Sequence, residues 1–510
     1  MDLFIEKRYL KLPVSPYAQN KTLTFHRDGQ LVLDFSTRLD PISPMYWFYW
    51  DMRLFMGQNL TFSTVPTIAF QPEFVEEAPT DSCYDEPRRP GAHFTAHRGW
   101  LNDPNGCVFY EGQYHMFFQH NPVDSCWGNM SWGHAVSPDL IHWEQREIAL
   151  FPDKYGTMYS GSAIVDHNNG TGLKVNEHAP LLLFYTAAGR KSLLSQEQNF
   201  CQCMAYSTDG GNTFQKYDKN PIVPHIASGN RDPKVIYNPE ENCYYMALYL
   251  VENEYALFRS GNLLDWSRSQ RIDLPGDGEC PDFFPLTCQG ETYWIFIGAS
   301  DRYLVGRMEN GRFVPVQEAR SLQSRGRSYA AQTFSNVPGG RRLRIAWNQT
   351  NIPHTPFTCA MCTPTEMTLV KDSRGFWLRT NPIDELDTVH RDNTAPILCG
   401  KAQDIRLKLR WKPYTSISLK LLGLEMVLSQ ETNSLTVNGV TLPLHAADNT
   451  ISLRFITDVH AVEIYTADGR SFTCVDHLAD YNLNTLSLTA QCGDFELLEQ
   501  TVLELENIWK

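Results

Sequence analysis

Three acidic residues stand out for the company they keep. Asp103 lies in Trp100-Leu-Asn-Asp-Pro-Asn-Gly106, Asp232 in Arg231-Asp-Pro233, and Glu279 in Gly278-Glu-Cys-Pro-Asp-Phe-Phe284. Taken alone, Asp-Pro-Asn-Gly is a turn signal and Arg-Asp a surface pair. Around Asp103, however, the sequence places His93, Phe94, Trp100, Phe117, Phe118 and Trp127. Sugar rings stack on aromatics while their hydroxyls need fixed polar partners, so this mixture suits a carbohydrate site. Pro281, Phe283 and Phe284 are expected to desolvate Glu279 and raise its pKa, as a general acid working near neutrality requires. A pair of carboxylates about a glycosidic bond is the machinery of glycoside cleavage through an oxocarbenium-like transition state.

What must bring these residues together is a β architecture. From 93 to 385 the chain is dense in short apolar strands and Gly, Pro, Asn and Asp turns, with almost no helical period. A weak repeat runs through it: Ser137-Pro-Asp-Leu-Ile-His-Trp143 resembles Ser260-Gly-Asn-Leu-Leu-Asp-Trp266, and Ser207-Thr-Asp-Gly-Gly-Asn-Thr-Phe214 takes the same place between them. Units of four short strands suggest propeller blades. Five are counted, starting near Asn102, Ser160, Asp232, Glu279 and Tyr329. In such a fold the innermost strands line one axis, so Asp103, Asp232 and Glu279 are expected to converge on one funnel. A large sandwich with accidental similarity is the competing architecture.

The flanks are β-rich too. Residues 1–85 form an N-terminal module, with Thr22–Phe25 and Leu31–Phe35 read as a hairpin about Asp28-Gly29. The Pro- and acid-rich stretch 71–90 has a linker's composition, and the linker proper is placed at 86–92. Residues 395–510 return to period-two alternation, as in Asp404-Ile-Arg-Leu-Lys-Leu-Arg-Trp411, and predict a C-terminal β-sandwich. A short helix is expected near 382–386. The predicted fold is therefore all-β: a five-bladed β-propeller at 93–385, then the sandwich, with an extra N-terminal β-rich domain.

The 510 residues carry a formal net charge of -14, which opposes nucleic acid or anionic membrane as partners and leaves a neutral sugar unopposed. The start, MDLFIEKRYLKLP, lacks the pattern of a secretory signal, and the expectation is a cytoplasmic protein. The 13 cysteines are scattered. Cys201-Gln-Cys203 and Cys359-Ala-Met-Cys362 lack a second pair at ligand spacing, so buried thiols and no metal are expected. The run Met45-Tyr-Trp-Phe-Tyr-Trp50 suits core or interface better than a sugar platform. It leaves the N-terminal module with polysaccharide binding or dimer contacts, the latter making a homo-oligomer.

In its motifs the chain resembles glycoside hydrolase family 32. WLNDPNG at 100–106, FFQHNP at 117–122, WGNMSWGHAVS at 127–137, YSGSA at 159–163, RDPKV at 231–235, ECPDFFPL at 279–286, YAAQTF at 329–334 and RIAWN at 344–348 occur in the family's order. The resemblance implies a five-bladed propeller followed by a sandwich. It also implies Asp103 as nucleophile, Glu279 as acid/base and Asp232 as transition-state stabiliser. Asn102, Gln119, Trp127, Tyr159, Ser160, Arg231, Tyr329 and Trp347 would form the fructose pocket, with Trp100 beside them; no cofactor is implied. Several stretches, among them HRGWLNDPNG at 97–106 and ALFRSGNLLDW at 256–266, look more like the levanase and exo-inulinase branch than the invertase branch. The expectation is a retaining hydrolase that frees terminal fructose from levan- or inulin-type oligosaccharides and from sucrose. Sucrose or sucrose-6-phosphate hydrolysis is the alternative, and a non-catalytic fructan-binding propeller a remoter one. One departure lies at Gln323-Ser-Arg-Gly-Arg327, where the family usually has Asp-x-Gly. Arg325 and Arg327 are either solvated or aimed at an anionic sugar.

Overall fold

The computed structural model describes residues 1–510 except 81–82, 228, 392–395, 478–482, 484 and 510. Parts of two segments read above therefore lie outside the described residues: two positions of the Pro- and acid-rich stretch, and residues 395, 478–482, 484 and 510 of the C-terminal region. Among the described residues the chain is nearly all β, with three short 3-10 helices, one of them at Asp384–Val389 where a short helix was expected. No helix there is long and apolar enough to cross a membrane.

Five sheets, antiparallel but for one short strand of the first, follow one another in the chain's central region. Their leading strands are Gly99–Tyr110, Thr157–Val165, Arg231–Asn238, Asp282–Cys288 and Ser328–Thr333. Each of these meets the leading strand of the next sheet, and the fifth returns to the first. Side chains tie the ring together. The Ser162 hydroxyl donates to Pro233 O at 2.8 Å, Lys234 Nζ to Thr333 O at 2.8 Å, and Gln332 Nε2 to Gly161 O at 2.9 Å. The short strand Phe357–Thr358, late in the region, pairs in parallel with Gly99 and Trp100 of the first leading strand.

Continuous apolar strands are what this arrangement demands, because each inner sheet is covered on both faces. In Leu181–Ala188 every residue is buried. Successive side chains point to opposite faces. Leu181, Leu183 and Tyr185 pack toward the first sheet, whereas Leu182 and Phe184 pack toward the third. The next pair of sheets repeats the scheme: Tyr244, Met246 and Leu248 face backward, Tyr245, Ala247 and Tyr255 forward onto Phe283, Trp294 and Phe296. The sequence repeat has a structural meaning as well. Ser137, Ser207 and Ser260 each close a third strand, and their hydroxyls accept backbone N–H groups from the turn that follows. Leu140 and Leu263, at matching positions, both adopt positive φ (70° and 68°). Trp143 and Trp266 each donate Nε1–H to the carbonyl of that leucine.

The flanking regions are sheets too. The N-terminal module holds a four-stranded and a three-stranded sheet about Phe25, Phe35, Phe48 and Trp50. Its expected hairpin is present, Lys21–Arg27 pairing with Gln30–Thr37 across Asp28 and Gly29, both at positive φ. The C-terminal region forms two five-stranded sheets about one core that includes Leu407, Leu419, Phe455 and Ile464. The stretch between module and central region is not a loose tether. Glu73–Val75 pairs with Tyr9–Lys11, Tyr84 stacks on Trp509 at 3.8 Å, and buried Arg89 lies 3.5 Å over the Phe357 ring. Cys201, Cys203, Cys359 and Cys362 are buried.

Candidate active site

At one end of the ring of leading strands the backbone is repeatedly irregular, and each irregularity coincides with a polar residue. Register shifts fall between Leu101 and Pro104, between Tyr159 and Gly161, between Arg231 and Lys234, and between Tyr329 and Gln332. A bulge leaves residues unpaired and re-aims their side chains. The residues freed include Asn102, Asp103, Ser160 and Asp232. In the fourth sheet, Glu279 and Cys280 precede the strand instead. Asp232, Glu279, Cys280 and Ala330 adopt positive φ (64°, 61°, 35° and 50°), which costs non-glycine residues roughly 1–3 kcal/mol each. Such strain is retained only where the surroundings over-determine it.

These residues meet in one cavity of about 400 Å³, lined by Asn102, Asp103, Gln119, Trp127, Tyr159, Ser160, Lys191, Phe200, Arg231, Asp232, Glu279, Tyr329 and Trp347. Asp103 is half-buried there. The Ser160 hydroxyl donates to its Oδ2 at 2.6 Å, and the Cys280 thiol lies 3.5 Å from the same oxygen. Burial raises the Asp103 pKa; hydrogen bonds from Ser160 and Asn102 oppose the rise, and the Glu279 charge adds to it. Asp232 is pushed up to about 7, first by burial and then by the charges of Glu279 and Asp103, against the pull of Arg231. Its Oδ2 accepts the Cys280 N–H at 3.1 Å. Arg231 links the acids: Nη2 is 3.0 Å from Glu279 Oε1 and Nε 3.6 Å from Asp232 Oδ2, with the guanidinium over the Tyr249 ring at 4.4 Å.

Glu279 differs from the other two acids. Its side chain is 41% exposed, against 6% for Asp232. The apolar cover expected from its neighbours is not there: Phe283 and Phe284 turn into two separate cores between sheets. An alternating strand sends residues near in sequence to opposite sides. The aromatic crowd expected around Asp103 is corrected for the same reason. Phe94 and Phe118 belong to one inter-sheet core and Phe117 to another, while His93 is buried against Asp458. Trp127 remains at the cavity, 51% exposed at its mouth. Trp100 backs the wall without lining it; its Nε1–H donates to Asn102 Oδ1 at 2.7 Å and its ring packs edge-on to Trp347 at 5.9 Å.

Every other residue expected in the pocket lines it. Sequence reasoning missed Lys191 and Phe200, both from the 189–200 connection between the second and third strands of the second sheet. Nothing in that segment's composition marks it. Trp127, Tyr159 and Phe200 form a continuous aromatic wall, with edge-on contacts of 6.1 and 5.5 Å. Arg325 and Arg327 are not at the cavity. Their segment docks on the C-terminal sheets, with Arg327 Nε donating to Asp476 Oδ2 at 2.6 Å. His93, Asp458 and His460 form a group compact enough to hold a metal ion, and Cys362, Glu463 and Cys474 form another, but both sit at the junction with the C-terminal sheets. In the first group His93 is already the ion partner of Asp458 at 2.8 Å and of Glu463 at 3.5 Å.

A strained ring of bulges presenting carboxylates to a sugar-sized cavity with one aromatic wall defines a polysaccharide- or oligosaccharide-cleaving class of protein. Residues 93–382 match the family model for the glycosyl hydrolases family 32 N-terminal domain, and the chain belongs to that family. It is 29% identical to the levanase of Bacillus subtilis (strain 168) over 88% of this chain and 74% of that protein. To the extracellular exo-inulinase of Aspergillus awamori it is 32% identical over 56% of this chain and 63% of that protein. The crystal structure of exo-inulinase from Aspergillus awamori shares its fold, with a TM-score of 0.75 at 24% identity over 84% of this chain and 100% of that one.

Proposed function

We propose that this family member is a retaining glycosidase that releases terminal fructose from fructosides, with levan- or inulin-type oligosaccharides preferred and sucrose also cleaved. The observation that carries this is the convergence of Asp103, Asp232 and Glu279 on one cavity with an aromatic wall. Likeness to levanase over 88% of this chain and to exo-inulinase over 56% favours fructans. The five sheets are read as propeller blades and the two C-terminal sheets as a sandwich. The cyclic contacts of the leading strands and the parallel pairing of Phe357–Thr358 with the first support that reading.

Roles follow from environment. Asp103, half-buried and held by the Ser160 hydroxyl, is the nucleophile: it attacks the anomeric carbon of fructose and forms a fructosyl ester. Glu279, half in solvent at the mouth, donates its proton to the departing glycosidic oxygen and can be reprotonated from water. It then takes a proton from the water that attacks the ester, which returns fructose with its configuration retained. Asp232, beside Arg231, accepts fructose hydroxyl hydrogen bonds that strengthen as positive charge develops on the ring.

A second reading, hydrolysis of sucrose or its 6-phosphate, draws on Lys191, a cation at the cavity placed to meet an anionic leaving group. Initial rates on levan, inulin, 1-kestose, sucrose and sucrose 6-phosphate, with the anomeric form of fresh fructose followed by NMR, test both. Fastest release from fructans with β-fructose formed first is expected. Dominance of sucrose 6-phosphate selects the second reading, and inverted product overturns the nucleophile assignment.

A further inference from the structure

One strand of the N-terminal module reaches both sides of the cavity mouth. Gln30–Thr37 pairs with Lys21–Arg27 inside the module and has a distinct set of partners outside it. Asp34, which is 8% exposed, accepts backbone N–H groups from Leu193 and Leu194, each at 2.9 Å. Those two residues form the tip of the 189–200 loop, whose ends supply Lys191 and Phe200 to the cavity. The loop is otherwise pinned at its base, by Arg190 N–H to Ser195 O and by Gly189, where a Cβ would lie 2.4 Å from Gln198 O. Two residues further along, Ser36 exchanges hydrogen bonds with the side chain of Asn129, at 2.9 and 2.7 Å. Thr37 donates to Val123 O at 2.7 Å, and Arg38 pairs with Asp124 and donates to Ser125 Oγ at 3.0 Å. Residues 123–129 are the turn that carries Trp127.

We infer that the N-terminal module is a positioning element of the active site, in which Asp34 and Ser36 fix the 189–200 loop and the Trp127 turn and so set the aromatic wall that receives the leaving sugar. The inference rests on the proposed β-fructosidase reading and extends it. Asp103 and Asp232 hang on bulges within the ring of leading strands, Glu279 immediately precedes one of those strands, and none of the three is hydrogen-bonded to the module's described residues. Trp127 and Phe200 depend on the module, because each lies in an irregular segment whose contacts outside its own sheet include this strand. A carboxylate accepting two convergent amides is a strong and directional tie, since charge-assisted hydrogen bonds are about twice as strong as neutral ones. Substrate parts bound at the mouth should therefore feel the module, and the fructosyl unit beside the three acids should not.

The test compares Asp34→Ala, Asp34→Asn and Asn129→Ala with the unaltered full chain on methyl β-D-fructofuranoside, whose leaving group is minimal, and on 1-kestose. For Asp34→Ala, KM for 1-kestose should rise about tenfold with kcat within about twofold, while KM for the methyl fructoside stays within about twofold. Asp34→Asn keeps one carbonyl acceptor and should fall between. Hydrogen exchange at the Leu193 and Leu194 amides should accelerate in Asp34→Ala. Should that variant fail to fold, Asn129→Ala carries the same substrate comparison from the other rim. Equal effects on both substrates, or none on either, overturn the inference. Absence of turnover by the unaltered chain on both substrates instead overturns the functional reading on which it stands.

Discussion

Two clusters of charge in this molecule are built from similar parts and held in opposite states. At the cavity, three carboxylates meet and one guanidinium pairs with two of them, and burial together with their mutual repulsion pushes Asp232 up to about 7 and Asp103 upward as well. At the junction between central region and C-terminal sheets, His93 lies between Asp458 and Glu463. There burial would lower the His93 pKa, but the two carboxylates outweigh it and hold the value near 10. Burial would likewise raise both acids, yet their hydrogen bonds with His93 leave each at about 2. Asp458 also accepts N–H groups from Gly91 and Ala92, and Tyr465 donates to Glu463. One cluster is satisfied and serves cohesion. The other is left unbalanced, as a site awaiting developing positive charge must be.

The sharpest break of this comparison is Asp103→Ala, for which kcat should fall by roughly 10⁴-fold or more while thermal stability is unchanged or improved. Loss of activity together with stability would place Asp103 with the cohesive cluster. Glu279→Gln should cost roughly 10²–10⁴-fold on natural fructosides and much less on an activated aryl fructoside, because only the former need a proton on the leaving group. Equal losses would remove the acid role.

On the cohesive side, His93→Ala leaves two buried carboxylates without their cation and should destabilise by about 3–5 kcal/mol, read as a lower urea midpoint. The sign of its pH dependence is fixed by the shifts. The His93 contribution is full below pH 6.5 and fades as pH rises through about 10, whereas those of Asp458 and Glu463 fade as pH falls toward 2. Wild type and variant should thus differ most between about pH 5 and 6.5, and the difference should shrink steadily from there toward pH 10. His460, held down near 4 by burial and by His93, stays neutral across that window.

Asp232→Asn changes stability with the opposite sign. With a folded pKa near 7 against the ordinary 3.8, ionised Asp232 burdens the fold above pH 7 and not below 3.8. The variant should gain stability relative to wild type as pH rises from 4 to 8, to a ceiling of about 4 kcal/mol, while losing activity. A gain that shrinks with rising pH would mean that Arg231 satisfies Asp232 as fully as His93 satisfies its partners.

Much of the site was legible because bulges and turns need particular residues. Asp-Pro-Asn-Gly, Arg-Asp-Pro and Glu-Cys-Pro interrupt otherwise apolar strands, and interruption by acids has few structural uses. The Ser-x-Asp/Asn turns betrayed the sheet repeat, since a serine hydroxyl capping a left-handed leucine is a local construction. Phe117, Phe118, Phe283 and Phe284 misled because a strand buried on both faces distributes its neighbours to different cores.

By itself the sequence determined the β class, the ordering of the units and the three acids, all properties written within a few residues of one another. Tertiary structure alone decided that His93 belongs to cohesion, that Trp100 stands behind the wall, and that Lys191 and Phe200 reach the cavity. Those assignments depend on contacts between segments remote in the chain, such as Asp34 with Leu193 and His93 with Asp458, and no local pattern encodes a partner so far away.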